Sequence, residues 1–194
     1  AISVSLGNVT ASFHLADISI KGLHNVYNSM QAIAAALTVG VRPKDVALAL
    51  RTFRNAPHRL ELVRTLDGVD YDNDSKATNV DAAWFALDAQ TRPVVWIAGG
   101  KDKGNDYSAL FDLCRQKVKA LVCLGKDNAK LLDIFKGVIP TLVDTHGMAD
   151  CVKACHDLAS AGDVVLLSPC CASFDLFTSY ENRGDLFRQE VDKL

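Results

Sequence analysis

Three short segments of the sequence combine lysines, hydroxyl groups and carboxylates, which are the side chains that bind small charged ligands. They are "DSKATN" at 74–79, "GGKDKGND" at 99–106 and "SPCCASFD" at 168–175. Ammonium groups and hydroxyl donors can hold a small dianion through charge-assisted hydrogen bonds. Each segment also has a plainer interpretation: a loop whose Thr78 or Asn79 caps the next helix, a solvated glycine turn, and a helix cap formed by Ser173.

Strands and helices alternate in the sequence from Arg59 onward. Two strands around Asp67-Gly68 form a typical type I′ hairpin signal. Helices are predicted at 79–90, 107–118, 127–136, 148–160 and from Ser173, and strands at 69–73, 94–98, 120–124, 141–144 and 163–167. This alternation predicts an α/β, Rossmann-like fold: a mostly parallel sheet flanked by helices on both faces. Because ligands bind at the carboxyl ends of such strands, the three segments should converge at one edge.

The last predicted helix has a further consequence for binding. A start at Ser173 would turn backbone N–H groups and the positive end of the helix dipole toward the cleft, which suits a carboxylate. Tyr180, seven residues later, would lie on the same helix face and could wall the same pocket. A tyrosine of the hydrophobic core is an equally good interpretation of that residue.

Residues 1–56 differ from the rest of the chain. They contain two short strands with Gly7-Asn8 as a hairpin turn, and two helical patterns, the second with Pro43 in its first turn. The chain also begins without Met and already strand-like, which indicates the middle of something larger. We interpret 1–56 as the end of a preceding domain and 57–194 as a second domain, with the junction at 55–57.

Composition narrows the function classes. Lys+Arg 21 against Asp+Glu 23 gives a formal charge of -2 with no basic run, so we expect neither nucleic acid nor a membrane as partner. The six cysteines show no C-x-x-C pair. Cys151, Cys155 and His156 could imitate a metal site, but both thiols fall on an apolar helix face, and no metal site is predicted. No Ser-His-Asp arrangement, H-E-x-x-H motif or Walker A motif is present.

Several longer motifs resemble a known family. "PHRLELV", "DNDSKATN", "GGKDKG" and "SPCCASFDLFTSYENRGDLF", preceded by "HNVYN", resemble the Mur ligases of peptidoglycan synthesis from about residue 20 to the end. The block "DSKATN" resembles the D-glutamate-adding members. The resemblance implies a three-domain enzyme in which 1–56 ends the central ATPase domain and 57–194 is the complete C-terminal domain. The phosphate loop, the magnesium ligands and the UDP-sugar domain would then lie outside this chain.

The reaction that the resemblance implies is ADP-forming amide synthesis in a bacterial cytoplasm. ATP phosphorylates the carboxylate of UDP-N-acetylmuramoyl-L-alanine, and the amine of D-glutamate attacks the acyl phosphate, while Mg²⁺ and cationic groups stabilise the transferring phosphoryl group. The isolated chain is expected to be inactive. Another Mur-type ligase, a folylpolyglutamate-type ligase and, for the isolated chain, a non-catalytic binding module of Rossmann type remain alternatives.

The resemblance also implies roles for individual residues. Asn25 and Asn28 match positions near the adenine, although both could equally be residues of a helix start. Arg59 matches a contact with ATP phosphate, and Asp74 matches the acid that contacts the ribose. No residue is assigned as the base that deprotonates the amine. His58 is adjacent to Arg59 but is equally well explained as structural, at a hinge over 55–58 about which the C-terminal domain would close.

The D-glutamate site implied by the resemblance has six members. Lys103 would supply charge for the side-chain carboxylate, Thr78 and Ser173 would donate hydrogen bonds, and Tyr180 would close one wall. The full set is Lys76, Thr78, Lys103, Ser173, Phe174 and Tyr180.

Overall fold

The structure, a computed structural model, describes residues 1–20 and 22–194. The chain folds as two units, residues 1–55 and residues 56–194, and each is described by itself. In the described part of the chain, no helix is long and apolar enough to cross a membrane.

The first unit is a β-hairpin with two helices. Strands β1 (Ile2–Leu6) and β2 (Val9–Phe13) pair antiparallel around the turn at Gly7-Asn8, which confirms the predicted hairpin. Helix α1 (Leu23–Thr38) ends just before Gly40, and α2 (Pro43–Thr52) carries its proline at the first helical position, where no backbone N–H is needed. The buried residues that hold the hairpin and helices together are Ile2, Phe13, Ile33, Leu37 and Val46.

The second unit is built on a six-stranded sheet. Its strand order is β3-β4-β8-β5-β6-β7, and every neighbouring pair is parallel except β3 with β4. Asp67 (φ 50°) and Gly68 (φ 79°) form the turn between β3 and β4, and both have the positive φ that a type I′ turn requires. The strands are β3 (Glu61–Leu66), β4 (Val69–Asn73), β5 (Val94–Gly99), β6 (Val118–Leu124), β7 (Thr141–Thr145) and β8 (Val164–Cys170).

Helices cover both faces of this sheet, as predicted. The helices are α3 (Val80–Asp88), α4 (Phe111–Lys117), α5 (Ala129–Phe135), α6 (Met148–Leu158) and α7 (Tyr180–Asp192). Side chains alternate along a strand, so Trp96 of β5 packs with α3, α4 and α5, whereas Val95 and Ile97 pack with α6 and α7. Strands β5 and β8 are buried along their whole length, which explains their continuous apolar runs.

The start of the last helix was predicted wrongly. Helix α7 begins at Tyr180, and its N-cap is Ser179, whose hydroxyl accepts a hydrogen bond from the N–H of Asn182 (3.1 Å). Ser173 belongs to a single turn closed by the N–H of Phe177 donating to its carbonyl (2.9 Å). Two serines with the same capping chemistry stand six residues apart, and only the second continues into a helix. Ser173 therefore provides no helix N-terminus, and Tyr180 shares no helix face with it.

Candidate functional site

The three polar segments meet at one edge of the sheet because their strands are neighbours. Strand β8 lies between β4 and β5, so the loops that follow these three strands leave the sheet side by side. The N–H of Lys101 donates to the carbonyl of Ala172 (2.8 Å), which joins the loops after β5 and β8 directly. Gly100 (φ 123°) permits this approach, since a Cβ there would lie 2.4 Å from the Ala172 carbonyl oxygen.

The segment 74–79 is held by hydrogen bonds within itself and to its surroundings. The Asn73 side-chain oxygen accepts from the N–H of Ser75 (3.1 Å), and the Lys76 N–H donates to the carbonyl of His58 (3.1 Å). Asn79 caps α3 by accepting from the N–H of Ala82 (2.8 Å), which confirms the capping role left open between Thr78 and Asn79. The loop is therefore an ordered link from β4 to α3.

Lys76 and Tyr180 lie together in this loop region. The Lys76 Nζ lies 5.2 Å from the centre of the Tyr180 ring, within the range of a cation–π contact. The Ser75 hydroxyl donates to the Tyr180 carbonyl (2.8 Å) and so ties the loop to the start of α7. Lys76, Thr78 and Tyr180 are all half-buried. These three of the six proposed D-glutamate residues thus border the loop after β4.

Asp74 is a buried carboxyl group, and each of its oxygens accepts one hydrogen bond from the protein. It is 8% exposed; its Oδ1 accepts from the N–H of Leu60 (3.2 Å) and its Oδ2 from the Ser168 hydroxyl (3.0 Å). Burial raises the pKa of Asp74 to about 7, against the lowering effect of those hydrogen bonds and of the positive charge of Arg59. Arg59 itself is exposed, between His58 and Leu60, which both have positive φ. Asp74 is consequently a group that titrates near neutrality.

The other predicted D-glutamate residues differ in exposure. Lys103 is exposed in the loop after β5, and the side-chain amide of Asn105 donates to the Cys170 carbonyl (3.2 Å), which attaches this loop to the end of β8. Ser173 is 2% exposed, whereas the adjacent Phe174 is 69% exposed. The ring of Phe174 is therefore exposed to solvent next to the buried Ser173.

Sequence reasoning missed Arg183, a buried residue of α7 that donates hydrogen bonds to the loops after β4 and β8. It is 1% exposed; its Nε donates to the Ser75 hydroxyl (3.0 Å), its Nη2 to the Ser75 carbonyl (2.9 Å) and its Nη1 to the Cys171 carbonyl (3.2 Å). Burial lowers the pKa of Arg183 to about 10. The available signal was its helical spacing, because Phe187 and Val191, four and eight residues later, are buried on the same face of α7.

His58 is packed inside the second unit. It is 6% exposed, its Nδ1 lies 3.1 Å from the Asn73 amide nitrogen, and its ring contacts the edge of Tyr180 at 6.1 Å between centroids. Gly184 of α7 leaves room for this ring, since a Cβ at that position would lie 2.2 Å from the His58 Nδ1. His58 thereby connects the entry of the second unit to the loop after β4 and to α7.

Asn25 and Asn28 belong to the first unit, on α1. The Asn28 amide nitrogen donates to the Asn25 side-chain oxygen (3.3 Å), and Asn25 is 8% exposed. Asn28 is exposed and borders a mostly apolar cavity of about 310 Å³, lined mainly by α1, α2 and the segment before α1. The two asparagines are thus side by side on one helix.

The cysteines and acids do not form a metal centre in the part of the chain that the structure describes. Cys151 and Cys155 are buried on α6, and His156 contacts the Tyr71 hydroxyl (3.1 Å) through Nδ1. Within residues 1–20 and 22–194, no group of three or more His, Cys, Asp or Glu side chains could hold a metal ion.

The chain matches a protein-family model and is similar in sequence to curated proteins. Residues 58–171 match a family model described as Mur ligase, glutamate ligase domain. The chain is 46% identical over 190 residues to UDP-N-acetylmuramoylalanine--D-glutamate ligase of Cytophaga hutchinsonii, which covers 98% of this chain and 42% of that protein. The chain therefore spans about two fifths of the length of that curated relative.

Two solved structures share the fold. The UDP-N-acetylmuramate-alanine ligase of Thermotoga maritima has a TM-score of 0.67 at 20% identity, covering 90% of this chain and 38% of that one. The folylpolyglutamate synthase of the same organism has a TM-score of 0.61 at 17% identity, covering 85% and 40%. At these identities the likeness concerns the fold alone.

Proposed function

We propose that this chain, which belongs to the Mur ligase family, is the C-terminal part of an ATP-dependent ligase that joins D-glutamate to UDP-N-acetylmuramoyl-L-alanine. The product amide would extend the peptide of a peptidoglycan precursor in the bacterial cytoplasm. The relative from Cytophaga hutchinsonii carries the name of this activity and is 46% identical along almost the whole chain. In this proposal, residues 1–56 end the central ATPase domain and residues 57–194 form the domain that binds the amino acid.

The observation that carries the proposal is the convergence of three loops at one sheet edge. The loop after β4 supplies the ammonium group of Lys76, and the loop after β5 supplies that of Lys103. The loop after β8 supplies the hydroxyl group of the buried Ser173. D-Glutamate carries two carboxylates, and each charge-assisted hydrogen bond to them would contribute about 1.5–3 kcal/mol. Thr78 would add a donor, while Phe174 and Tyr180 would bound the pocket with aromatic rings.

The nucleotide side of the proposed site uses other residues. Arg59 is exposed and carries a guanidinium fork that matches phosphate oxygens, so we assign it to an ATP phosphate. Asp74 would accept from the ribose hydroxyls, and Asn25 with Asn28 would meet the adenine. ATP phosphorylates the carboxylate of the sugar-peptide, the amine of D-glutamate displaces phosphate from the acyl phosphate, and ADP and phosphate leave.

The isolated chain is expected to bind without turning over. Its sequence has no Walker A motif to hold the β- and γ-phosphates of ATP, and we assign that motif, with the magnesium ligands, to the preceding part of the protein. We therefore expect neither ATP hydrolysis nor ligation from residues 1–194 alone. Turnover by this chain would refute the division of labour between the domains.

The experiment that tests the function uses the parent protein with its preceding domains. Phosphate release is followed with UDP-N-acetylmuramoyl-L-alanine and ATP, while D-glutamate, L-glutamate, meso-diaminopimelate and L-alanine are offered separately. Release with D-glutamate alone is the expected result. Release with a different amino acid would keep the ligase mechanism but reject the substrate. A folylpolyglutamate-type ligase would fail with this acceptor and respond to a folate, and a binding module would release nothing with either.

A further inference from the structure

The carboxylate of Asp102 lies at the centre of the loop that follows β5. Its Oδ1 accepts from the backbone N–H groups of Gly104 (2.6 Å) and Asn105 (3.0 Å), and its Oδ2 accepts from the Tyr107 hydroxyl (2.7 Å). The ammonium group of Lys130, on α5, reaches both oxygens at 3.0 and 3.1 Å. A single side chain thus receives donors from its own loop and from a separate helix.

The hydrogen bonds keep this carboxylate charged. Burial alone would raise the pKa of Asp102, but the donors from Tyr107, Asn105, Lys130 and Gly104 outweigh it and lower the pKa to about 2. Asp102 is therefore an anionic acceptor at neutral pH. An aspartate that accepts from backbone N–H groups two and three residues later is a recognised way to fix a turn.

The same network reaches the loop after β8. The Tyr107 hydroxyl lies 3.2 Å from the Cys171 Sγ, and the ammonium group of Lys130 also donates to the Asn105 carbonyl (2.9 Å). The nitrogen of Lys130 further lies 5.4 Å from the centre of the Tyr107 ring. Asp102 is consequently the acceptor that holds together α5, the loop after β5 and, through Tyr107, the end of β8.

Lys103 is placed between the residues that this network fixes. It follows Asp102 directly and precedes Gly104, whose N–H is bound, while its own side chain is exposed. A long exposed side chain loses conformational freedom when it binds a ligand, and a backbone that is already fixed reduces the remaining cost. We propose that Asp102 is a positioning residue that fixes the backbone of Lys103 and thereby sets the affinity for D-glutamate. This rests on the proposed function, in which Lys103 binds a D-glutamate carboxylate.

Amide exchange in the 194-residue chain tests the structural half of the proposal without any activity. In Asp102→Ala, the amides of Gly104 and Asn105 lose their acceptor and should exchange at least about tenfold faster. Asp102→Asn keeps an oxygen for these two amides and should exchange at an intermediate rate. Asp157→Asn, which removes an exposed carboxylate paired with a lysine on α6, is the matched control and should leave both amides unchanged. Unchanged exchange in Asp102→Ala would overturn the proposal.

Kinetics of the parent protein test the functional half. Lys103→Ala should raise the KM for D-glutamate by about 10- to 100-fold. Asp102→Ala should raise it by about tenfold with kcat changed less than about threefold, and Asp102→Asn should restore part of the loss. Because Asp102 acts through Lys103, the double variant should bind D-glutamate no more weakly than Lys103→Ala alone.

The outcomes separate the two proposals. An unchanged KM in Lys103→Ala would reject the assigned role of Lys103 and with it this part of the proposed function. A raised KM in Lys103→Ala with an unchanged KM in Asp102→Ala, or fully additive effects, would reject the positioning role alone. If Asp102→Ala does not fold, Asp102→Asn replaces it, because its side-chain oxygen can still accept from Gly104 and Asn105. It should raise the KM for D-glutamate above the wild-type value, and an unchanged KM together with unchanged amide exchange would reject the proposal.

Discussion

Replacing Asp74 with asparagine should stabilise the protein above neutral pH. The folded-state pKa of this buried carboxyl is about 7, against 3.8 for the ordinary group. A raised pKa means that the folded state favours the proton, so the associated stability is complete below pH 3.8 and is lost as the pH rises through 7. The difference of about three units corresponds to at most about 4 kcal/mol of lost stability by pH 8.5.

The asparagine variant should lack this loss because its side chain stays neutral. Its oxygen can still accept from the N–H of Leu60, and its amide can donate to the Ser168 hydroxyl in place of the present bond. We expect Asp74→Asn to exceed the wild-type chain by about 1–4 kcal/mol in free energy of unfolding at pH 8.5, and to differ little at pH 4.

Urea denaturation followed by tryptophan fluorescence is a suitable assay. Both tryptophans, Trp84 and Trp96, lie in the second unit, so the signal reports the unit that contains Asp74. Asp157→Asn is the control, because its exposed carboxylate has a lowered pKa and should give no gain at pH 8.5. A stability difference between Asp74→Asn and wild type that stays constant from pH 4 to pH 8.5 would refute the assignment of the shifted pKa to Asp74.

Four further substitutions test the contacts around α7, and the free energy of unfolding of each is measured by the same assay at pH 7. Gly184→Ala should lower the free energy of unfolding by about 2–4 kcal/mol, because the added Cβ would overlap the ring of His58. Helix propensity alone would leave the stability unchanged or raise it, and that result would contradict the packing. Ser179→Ala should lower the free energy of unfolding by about 1 kcal/mol and Ser173→Ala by less, because only Ser179 caps the helix. A larger loss in Ser173→Ala than in Ser179→Ala would indicate that the helix begins at residue 173. Arg183→Met should lower the free energy of unfolding by about 2–4 kcal/mol, because buried acceptors in two loops lose their donor. An unchanged free energy of unfolding would show that water donates to these acceptors instead.

The sheet was predictable because its information is local and repeated. Alternating strand and helix patterns, the Asp67-Gly68 turn and Pro43 at a helix start each depend on a few neighbouring residues. The wrong start of the last helix has the opposite cause. Ser173 and Ser179 carry equal capping signals, and the choice depends on contacts distant in sequence, such as the Lys126 N–H donating to the Asp175 carboxylate (3.1 Å).

The candidate site was only partly accessible to sequence reasoning. Lysine and hydroxyl side chains at strand ends can be recognised from residue type alone, so the loops after β4, β5 and β8 could be selected from the sequence. Arg183 could not be selected by residue type, because an arginine in a polar helix is usually solvated. Its spacing from Phe187 and Val191 was the only signal, and the fold shows that it is 1% exposed. Asp102 was likewise overlooked beside the more evident charge of Lys103. The roles of the predicted ligand residues themselves remain predictions.

The position of β8 has a consequence for how the second unit is made in the cell. This strand lies between β4 and β5, yet it is synthesised after β6 and β7. Until residues 164–170 have been synthesised, the edges of β4 and β5 that pair with β8 lack their partner strand, and their unpaired backbone N–H and C=O groups can pair with other chains. Pairing of β8 with both strands ends this exposure. Because it joins residues that are far apart in sequence, it is expected to be the slow step of folding. Chaperone dependence during synthesis should therefore end when this last strand is delivered.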